Sequence, residues 1–255
     1  MANKQSEAGK NAASQYIDPM LNPAGLLRSL ARQVPACCAV CHAWPAQVLC
    51  DDCVSRYAAP VPRCATCALP LTGSSTAALT CPDCLRNPPP LDACLAAVDY
   101  AWPWTDCITQ FKFGGQPGWA APLAQLLHSM PGVDEALTQA DCVLPMPLSR
   151  QRLAERGYNQ ALLLARQLAP QRTQAALLLR IRHTAAQSSL HRAERLLNLQ
   201  HAFAIEPQRA ASLRGQRVVL IDDVMTTGTT LHAAAHVLRQ AGAAHITALV
   251  LARTG

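Results

Sequence analysis

Two adjacent carboxylates, Asp222 and Asp223, end an apolar run, Val218-Val219-Leu220-Ile221, and after Val224-Met225 comes Thr226-Thr227-Gly228-Thr229-Thr230. The backbone N–H groups and hydroxyls of such a loop suit a phosphate, and Gly228 can take the positive φ that a tight cradle needs. The carboxylates would repel that phosphate. They suit instead the hydroxyls of a sugar attached to it, or a cation beside it. A phosphate cradle next to a diol clamp describes a ribose 5-phosphate site. A Walker-B strand also ends in acids, but it works with a Gly-x-x-x-x-Gly-Lys-Ser/Thr loop, and this sequence has none.

Other elements must place that loop. Residues 218–221 read as a strand buried on both faces. Residues 231–240 are Ala-rich and apolar and end at Ala241-Gly242, as a helix would. Ligands of such strand–loop–helix–strand units sit beyond the carboxyl end of the strand, facing a helix N-terminus. Strands are predicted at 92–101, 141–144, 177–181, 217–221 and 245–251, and helices at 119–130, 159–169, 190–200 and 230–240. The alternation predicts an α/β fold with a mainly parallel sheet flanked by helices.

A second constellation lies upstream. Eight of the 12 cysteines form four Cys-x-x-Cys pairs: Cys38/Cys41, Cys50/Cys53, Cys64/Cys67 and Cys81/Cys84. Two such pairs complete one Cys₄ site for a structural Zn²⁺, so one or two ions are expected. Sequential pairing gives two zinc-ribbon-like sites; a cross-braced pairing uses the same ligands and stays open. A disulfide framework needs an oxidising compartment. Residues 1–20 are polar with no apolar signal core, so a cytoplasmic protein with reduced thiols is expected. Cys94, Cys107 and Cys142 sit in apolar surroundings and read as core residues. Cys37 reads as structural too, though it adjoins Cys38 and could replace it as a ligand at a worse spacing.

Asn87-Pro88-Pro89-Pro90 marks a boundary. It predicts a partly flexible lead-in at 1–34 with a short helix at 22–32, a double zinc module at 35–90 and the α/β domain at 91–255. No apolar run is long enough to cross a bilayer, so no membrane insertion is expected. The net charge is +6, and arginine supplies 19 of the 22 cations. Between Pro145 and Arg217 there are 12 arginines against three acids, Glu155, Glu194 and Glu206. Arginine's planar fork grips phosphate oxygens, so the region points to a polyanionic ligand. Any single arginine there could equally be part of a solvated basic face.

The Asp222–Thr230 segment resembles the loop of type I phosphoribosyltransferases that binds PRPP, 5-phosphoribosyl 1-diphosphate. The resemblance implies that Asp222 and Asp223 contact the ribose hydroxyls. It implies that Thr226, Thr227, Gly228, Thr229 and Thr230 hold the 5-phosphate. Two further runs, Pro145-Met146-Pro147-Leu148 with Arg156-Gly157-Tyr158-Asn159-Gln160, and Thr184-Ala185-Ala186-Gln187 with Arg195-Leu196-Leu197-Asn198, widen the match. With the cysteine module and Phe111-Lys112-Phe113-Gly114-Gly115, residues 35–255 resemble the competence protein ComF family, including its ComFC and GntX-like members. That implies a type I phosphoribosyltransferase-like domain behind a zinc module, and a link to DNA uptake or the use of DNA as a nutrient.

Phosphoribosyl transfer displaces diphosphate from C1 of PRPP, with Mg²⁺ and preorganised donors meeting the charge that develops on the leaving group. Arg150, Arg152 and Arg156, on an Arg-rich loop that leads into the helix predicted at 159–169, are with the backbone after Pro145 the expected diphosphate side. Lys112, on a Gly-rich turn, is a further candidate, with an exposed surface lysine as the alternative. Tyr158 could stack on a base, but a core or capping role is preferred. His183 and His191 suggest nothing specific. Three functions follow: a phosphoribosyltransferase, a PRPP or nucleotide sensor, and a zinc-module adaptor for single-stranded DNA or a protein of the competence machinery. The scarcity of aromatic residues (4%) counts against the last.

Overall fold

The apolar run ahead of the acid pair is a strand inside a sheet. The computed structural model describes residues 36–71, 79–181 and 202–255. In it, β5 (Arg217–Met225) lies between β6 (His245–Arg253) and β2 (Cys142–Pro145), with β1 (Ala93–Asp99) beyond β6. All three pairings in this sheet are parallel. β5 sends Val218 and Leu220 to one face and Val219 and Ile221 to the other, and all four are buried. Burial on both faces is what a strand without polar alternation requires.

One face packs on the helix Thr229–Gln240 through Leu231, Ala234, Ala235 and Leu238. The other packs on the helices Trp104–Phe113, Ala120–His128 and Gln160–Leu168. Among the described residues the α-helices are, in chain order, α1 (Asp51–Tyr57), α2 (Pro82–Arg86), α3 (Trp104–Phe113), α4 (Ala120–His128), α5 (Val133–Gln139), α6 (Arg150–Arg156), α7 (Gln160–Leu168) and α8 (Thr229–Gln240). This is the type I phosphoribosyltransferase-like arrangement that the sequence led us to expect.

The structure departs from the sequence reading in four places. The strand expected at 177–181 is β3 (Leu178–Arg180), and it pairs antiparallel with β4 (Phe203–Ile205) in a separate two-stranded sheet. A short apolar run says that a strand is buried but not which edge it joins. β5 runs to Met225 rather than stopping at Ile221, because β6 stays in register with it as far as Arg253. Residues 150–156, read as an Arg-rich loop, form α6, capped by Ser149 and ended by Gly157 at φ +77°. Lys112 is likewise not on a turn but in the last turn of α3. Arg, Gln, Leu, Ala and Glu are all strong helix formers, so charge alone was a poor guide to a loop. The helices expected at 22–32 and 190–200 lie outside the described residues, as does the Thr184–Asn198 portion of the resemblance.

The cysteine module packs on the sheet domain. Trp104 Nε1 donates to the Tyr57 carbonyl at 2.8 Å, and Arg63 pairs with Asp99 at 2.8 Å. The Ala65 carbonyl accepts the Cys94 N–H at 2.7 Å and so covers part of the free edge of β1.

Candidate functional site

Asp222 and Asp223 lie near the carboxyl end of β5, beyond the point where β2 leaves it at Pro145↔Ile221. Both acids lie on this extension of β5 past the end of β2. Each carboxylate accepts the next backbone N–H: Asp223 N donates to Asp222 Oδ1 at 2.9 Å, and Val224 N to Asp223 Oδ1 at 2.6 Å. The two behave differently. Asp222 has its carboxyl pushed up to about 7 by burial and by the negative charge of Asp223. Asp223 is neutralised by direct partners, with Lys112 Nζ at 3.0 Å and Arg156 Nη1 at 3.8 Å.

The Arg-Gly-Tyr-Asn-Gln run explains how those two cations come to face Asp223. Arg156 closes α6, and the positive φ of Gly157 turns the chain. Tyr158 Oη donates to the Phe111 carbonyl at 2.6 Å, the structural role preferred above. Asn159 caps α7, accepting Leu162 N at 3.2 Å while its amide donates to the Met146 carbonyl at 3.0 Å. Gln160, only 1% exposed, donates to the carbonyls of Phe111 and Lys112 and accepts from Arg156 Nη1 at 3.1 Å. Tyr158 and Gln160 therefore satisfy the carboxyl end of α3 and fix Lys112, while Gln160 also orients Arg156.

Of the other expected cations, Arg150 is exposed at the start of α6, and Arg152 is half-buried two residues further on. Arg180, which the sequence reading did not single out, lies within the fields of both Arg152 and Asp222, and burial lowers its guanidinium from the usual range. Phe113 was also missed. Its ring is 68% exposed with the Arg156 guanidinium 5.1 Å from its centroid, a cation–π contact at the mouth of the site. Neither residue carries a sequence signal, because their significance comes from packing against Arg156 and Asp222.

Thr226 to Thr230 form the turn into α8. Thr227 and Thr229 share a hydroxyl hydrogen bond of 2.6 Å, and Thr226 and Thr227 are exposed. Gly228 holds φ +77° as the N-cap of α8, and a Cβ there would lie 2.4 Å from Met225 Cε. Both facts demand glycine. His232, one turn into α8, is driven down to about 4 by burial, with help from His236 and Arg253, so it is neutral. Its Nε2 is buried without a hydrogen-bond partner among the described residues. The site thus offers a helix N-terminus, two hydroxyls and neighbouring cations for an anion, and an acid pair for hydroxyls.

The cysteines form two tetrads, Cys38/Cys41/Cys50/Cys53 and Cys64/Cys67/Cys81/Cys84, each with its sulfurs within 4.8 Å of one another. The pairing is sequential rather than cross-braced. Sulfur separations of 3.9 Å for Cys38–Cys53 and 3.7 Å for both Cys41–Cys50 and Cys67–Cys81 match a tetrahedral ion. Zn–S bonds of about 2.3 Å place ligand sulfurs about 3.8 Å apart. The residues fit the metal. The backbone N–H of Cys50 points at Cys38 Sγ, and that of Cys81 at Cys64 Sγ. Burial opposes ionisation of Cys38 and Cys64, but such amide donors outweigh it and bring both thiols to about 6. All 12 cysteines are free, and Cys94, Cys107 and Cys142 are buried in the core as expected.

Comparison with known proteins agrees with this geometry. The phosphoribosyl transferase domain family matches residues 154–255, which include the acid pair and the threonine loop. The chain is 33% identical over 230 residues to DNA utilization protein YhgH of Salmonella typhimurium, covering 87% of this chain and 98% of that protein. It is 33% identical over 215 residues to competence protein F of Haemophilus influenzae, covering 80% and 90% respectively. Competence protein ComFC of Bacillus subtilis is 40% identical over 113 residues, 44% of each chain. Joined to a sheet whose strand carries Asp222 and Asp223 into a threonine loop, these likenesses make the chain a member of the competence protein ComF family.

Proposed function

We propose that this protein binds PRPP and transfers its phosphoribosyl group to an acceptor, in the uptake of DNA or the use of bases released from it. The observation that carries the reading is the juxtaposition of Asp222 and Asp223 with the Thr226–Thr230 turn on one side and Lys112 and Arg156 on the other. In this reading Asp222 and Asp223 accept from the ribose hydroxyls. The N-terminus of α8 and the hydroxyls of Thr227 and Thr229 hold the 5-phosphate. Arg156, Lys112 and Arg152 lie on the diphosphate side, with Arg150 at its exposed rim. Mg²⁺, entering with PRPP, neutralises diphosphate charge when bound. The C1–oxygen bond to diphosphate breaks as an acceptor lone pair bonds to C1, so the bonding electrons leave with diphosphate. The exposed ring of Phe113 offers the acceptor a flat apolar surface.

Two structural zinc ions, one in each tetrad, belong to this reading, as does a cytoplasmic location, since free thiols persist in a reducing compartment. Among the described residues no helix is long and apolar enough to cross a membrane. The names of the relatives, a DNA utilization protein and competence proteins, support the link to DNA.

The test is calorimetric titration of PRPP with Mg²⁺ into the zinc-loaded protein and into Asp222→Asn/Asp223→Asn. Binding that the double variant loses supports the reading, and a screen of free bases for diphosphate release then identifies the acceptor. Binding without release from any base would make the protein a sensor. No binding by folded wild type would move the reading to a single-stranded-DNA adaptor, whose affinity would fall steeply with salt.

A further inference from the structure

Arg253 ends β6 and is 8% exposed. Its Nε donates to the Cys67 carbonyl at 2.9 Å. Its Nη1 reaches the carbonyls of Met225, Thr226 and Thr254 and the Thr254 hydroxyl. Among the described residues no carboxylate lies within ion-pair distance of it. A buried cation with only neutral acceptors is costly to keep. Its position gives it a use: one end of the guanidinium holds the backbone of a tetrad cysteine, and the other holds Thr226, which opens the phosphate loop.

A second, apolar connection runs beside the first. The Ala65 carbonyl, between Cys64 and Cys67, accepts the Cys94 N–H at 2.7 Å. Cys94 Sγ donates to Met225 Sδ at 3.6 Å. The Met225 methyl in turn packs so tightly on Gly228 that no Cβ fits there. Cys64, Cys67 and Cys81 also belong to the same apolar cluster as Cys94, Met225 and Leu231. The Cys64–Cys67 knuckle is therefore tied to the loop at Thr226 through Arg253 and at Gly228 through Met225.

We propose that Arg253 is a positioning residue that couples the second cysteine tetrad to the phosphate loop. Metal bound by Cys64, Cys67, Cys81 and Cys84 fixes the Cys67 carbonyl, and the rigid guanidinium transmits that position to the Thr226 carbonyl. Coupling is reciprocal, so an anion ordering the loop tightens binding of the metal. The guanidinium also lies against the loop that would receive a phosphate, where its positive charge favours the anion. The ligand half of this inference rests on the PRPP reading; the link between tetrad and loop does not.

Hydrogen–deuterium exchange of the zinc-loaded full chain tests the link directly. Amides of residues 226–230 are expected to exchange about threefold faster or more in Arg253→Gln and in Cys81→Ser/Cys84→Ser, with Arg253→Lys between these and wild type. Amides of residues 218–221, inside the sheet, serve as the control for folding. Wild-type exchange of the loop in Arg253→Gln overturns the proposal, and so does faster exchange spread evenly over loop and sheet, which would make Arg253 only a fold-stabilising residue. Zinc affinity, read at equilibrium by competition with a colorimetric chelator with and without PRPP and Mg²⁺, tests reciprocity. PRPP should tighten zinc binding to wild type about threefold or more and leave Arg253→Gln unchanged. Equal tightening in both overturns the proposal. Loop exchange that depends on Arg253 in a wild type that binds no PRPP supports the link and removes the PRPP reading instead.

Discussion

Lys112 Nζ lies 3.0 Å from Asp223 Oδ1, with side chains only 14% and 11% exposed. The carboxylate assigned to the sugar is thus already paired with a cation assigned to the diphosphate. Arg156 stands on the other oxygen of Asp223 at 3.8 Å. A ligand that brings hydroxyls to the acid and phosphates to the two cations satisfies all of these charged groups at once.

Removing one partner should show how far Asp223 depends on the pair. Lys112→Met leaves a nearly buried carboxylate with Arg156 alone, and a loss of about 1–3 kcal/mol in urea unfolding is expected. Asp223→Asn in the Lys112→Met background should then cost less than in wild type, with a coupling of about 1–3 kcal/mol. Strict additivity of the two losses would show that the ion pair contributes nothing.

Asp222 gives the unliganded protein a pH dependence opposite to that of an ordinary paired carboxylate. Its carboxyl titrates at about 7 in the fold, above the usual aspartate value of 3.8. Between these values the folded state holds a proton that the unfolded chain has lost, so this group's contribution to stability falls as pH rises from about 4 to about 7. Asp222→Asn should therefore raise the thermal midpoint at pH 8 and flatten its pH profile across that window. An unchanged midpoint at pH 8 would place the carboxyl in a far wetter setting.

The same group should register ligand entry. Ribose hydroxyls donate to a carboxylate, so PRPP binding at pH 7 should release on the order of half a proton from Asp222. Calorimetry in two buffers of different ionisation enthalpy reads that number. Asp222→Asn would remove both the proton and the binding, whereas net proton uptake would mean that Asp222 stays protonated in the complex.

Gly228→Ala should damage the loop without unfolding the sheet. The new Cβ would meet Met225 Cε at 2.4 Å, and φ +77° is unfavourable for alanine. A stability loss of about 1–2 kcal/mol is expected from the backbone alone. Loss of PRPP affinity should far exceed that of a Thr226→Ala control, since Thr226 is exposed and contributes its carbonyl, which alanine keeps.

Native mass spectrometry should find two zinc ions per chain, one for each sulfur tetrad. Cys81→Ser/Cys84→Ser should lower the thermal midpoint more than Cys38→Ser/Cys41→Ser. Three of the second tetrad's cysteines lie in the apolar cluster that also holds Leu220 and Leu231, whereas none of the first tetrad's lies in either cluster. Equal losses would mean that the two sites support the domain alike.

Some of this was written in local patterns. An unbroken apolar run ending in two acids, a threonine-rich turn and an Ala-rich segment specify strand, loop and helix from short-range chemistry, and β5 and α8 stand where those patterns put them. The Cys-x-x-Cys spacing likewise specified the eight cysteines that gather in two tetrads, because a metal knuckle is a local bite. Errors came where local chemistry was ambiguous. The Arg-rich segment is a helix because its residues favour one and Ser149 caps it, and neither fact is visible in a count of charges.

What the sequence determined alone was the inventory: the acid pair, the threonine-rich loop, the four Cys-x-x-Cys pairs and an excess of arginine over acids. The tertiary structure decided the partnerships. Lys112 meets Asp223 across 111 positions of chain because Gln160 and Tyr158 hold the end of α3 against the site. Arg253 meets Cys67 across 186 positions because β6 carries it to the edge of the cysteine module. Sequential rather than cross-braced tetrads, and the assignment of β3 to a separate sheet, were settled in the same way. Contacts between distant segments depend on how whole elements pack, and packing is a property of the assembled core that no single stretch of residues encodes.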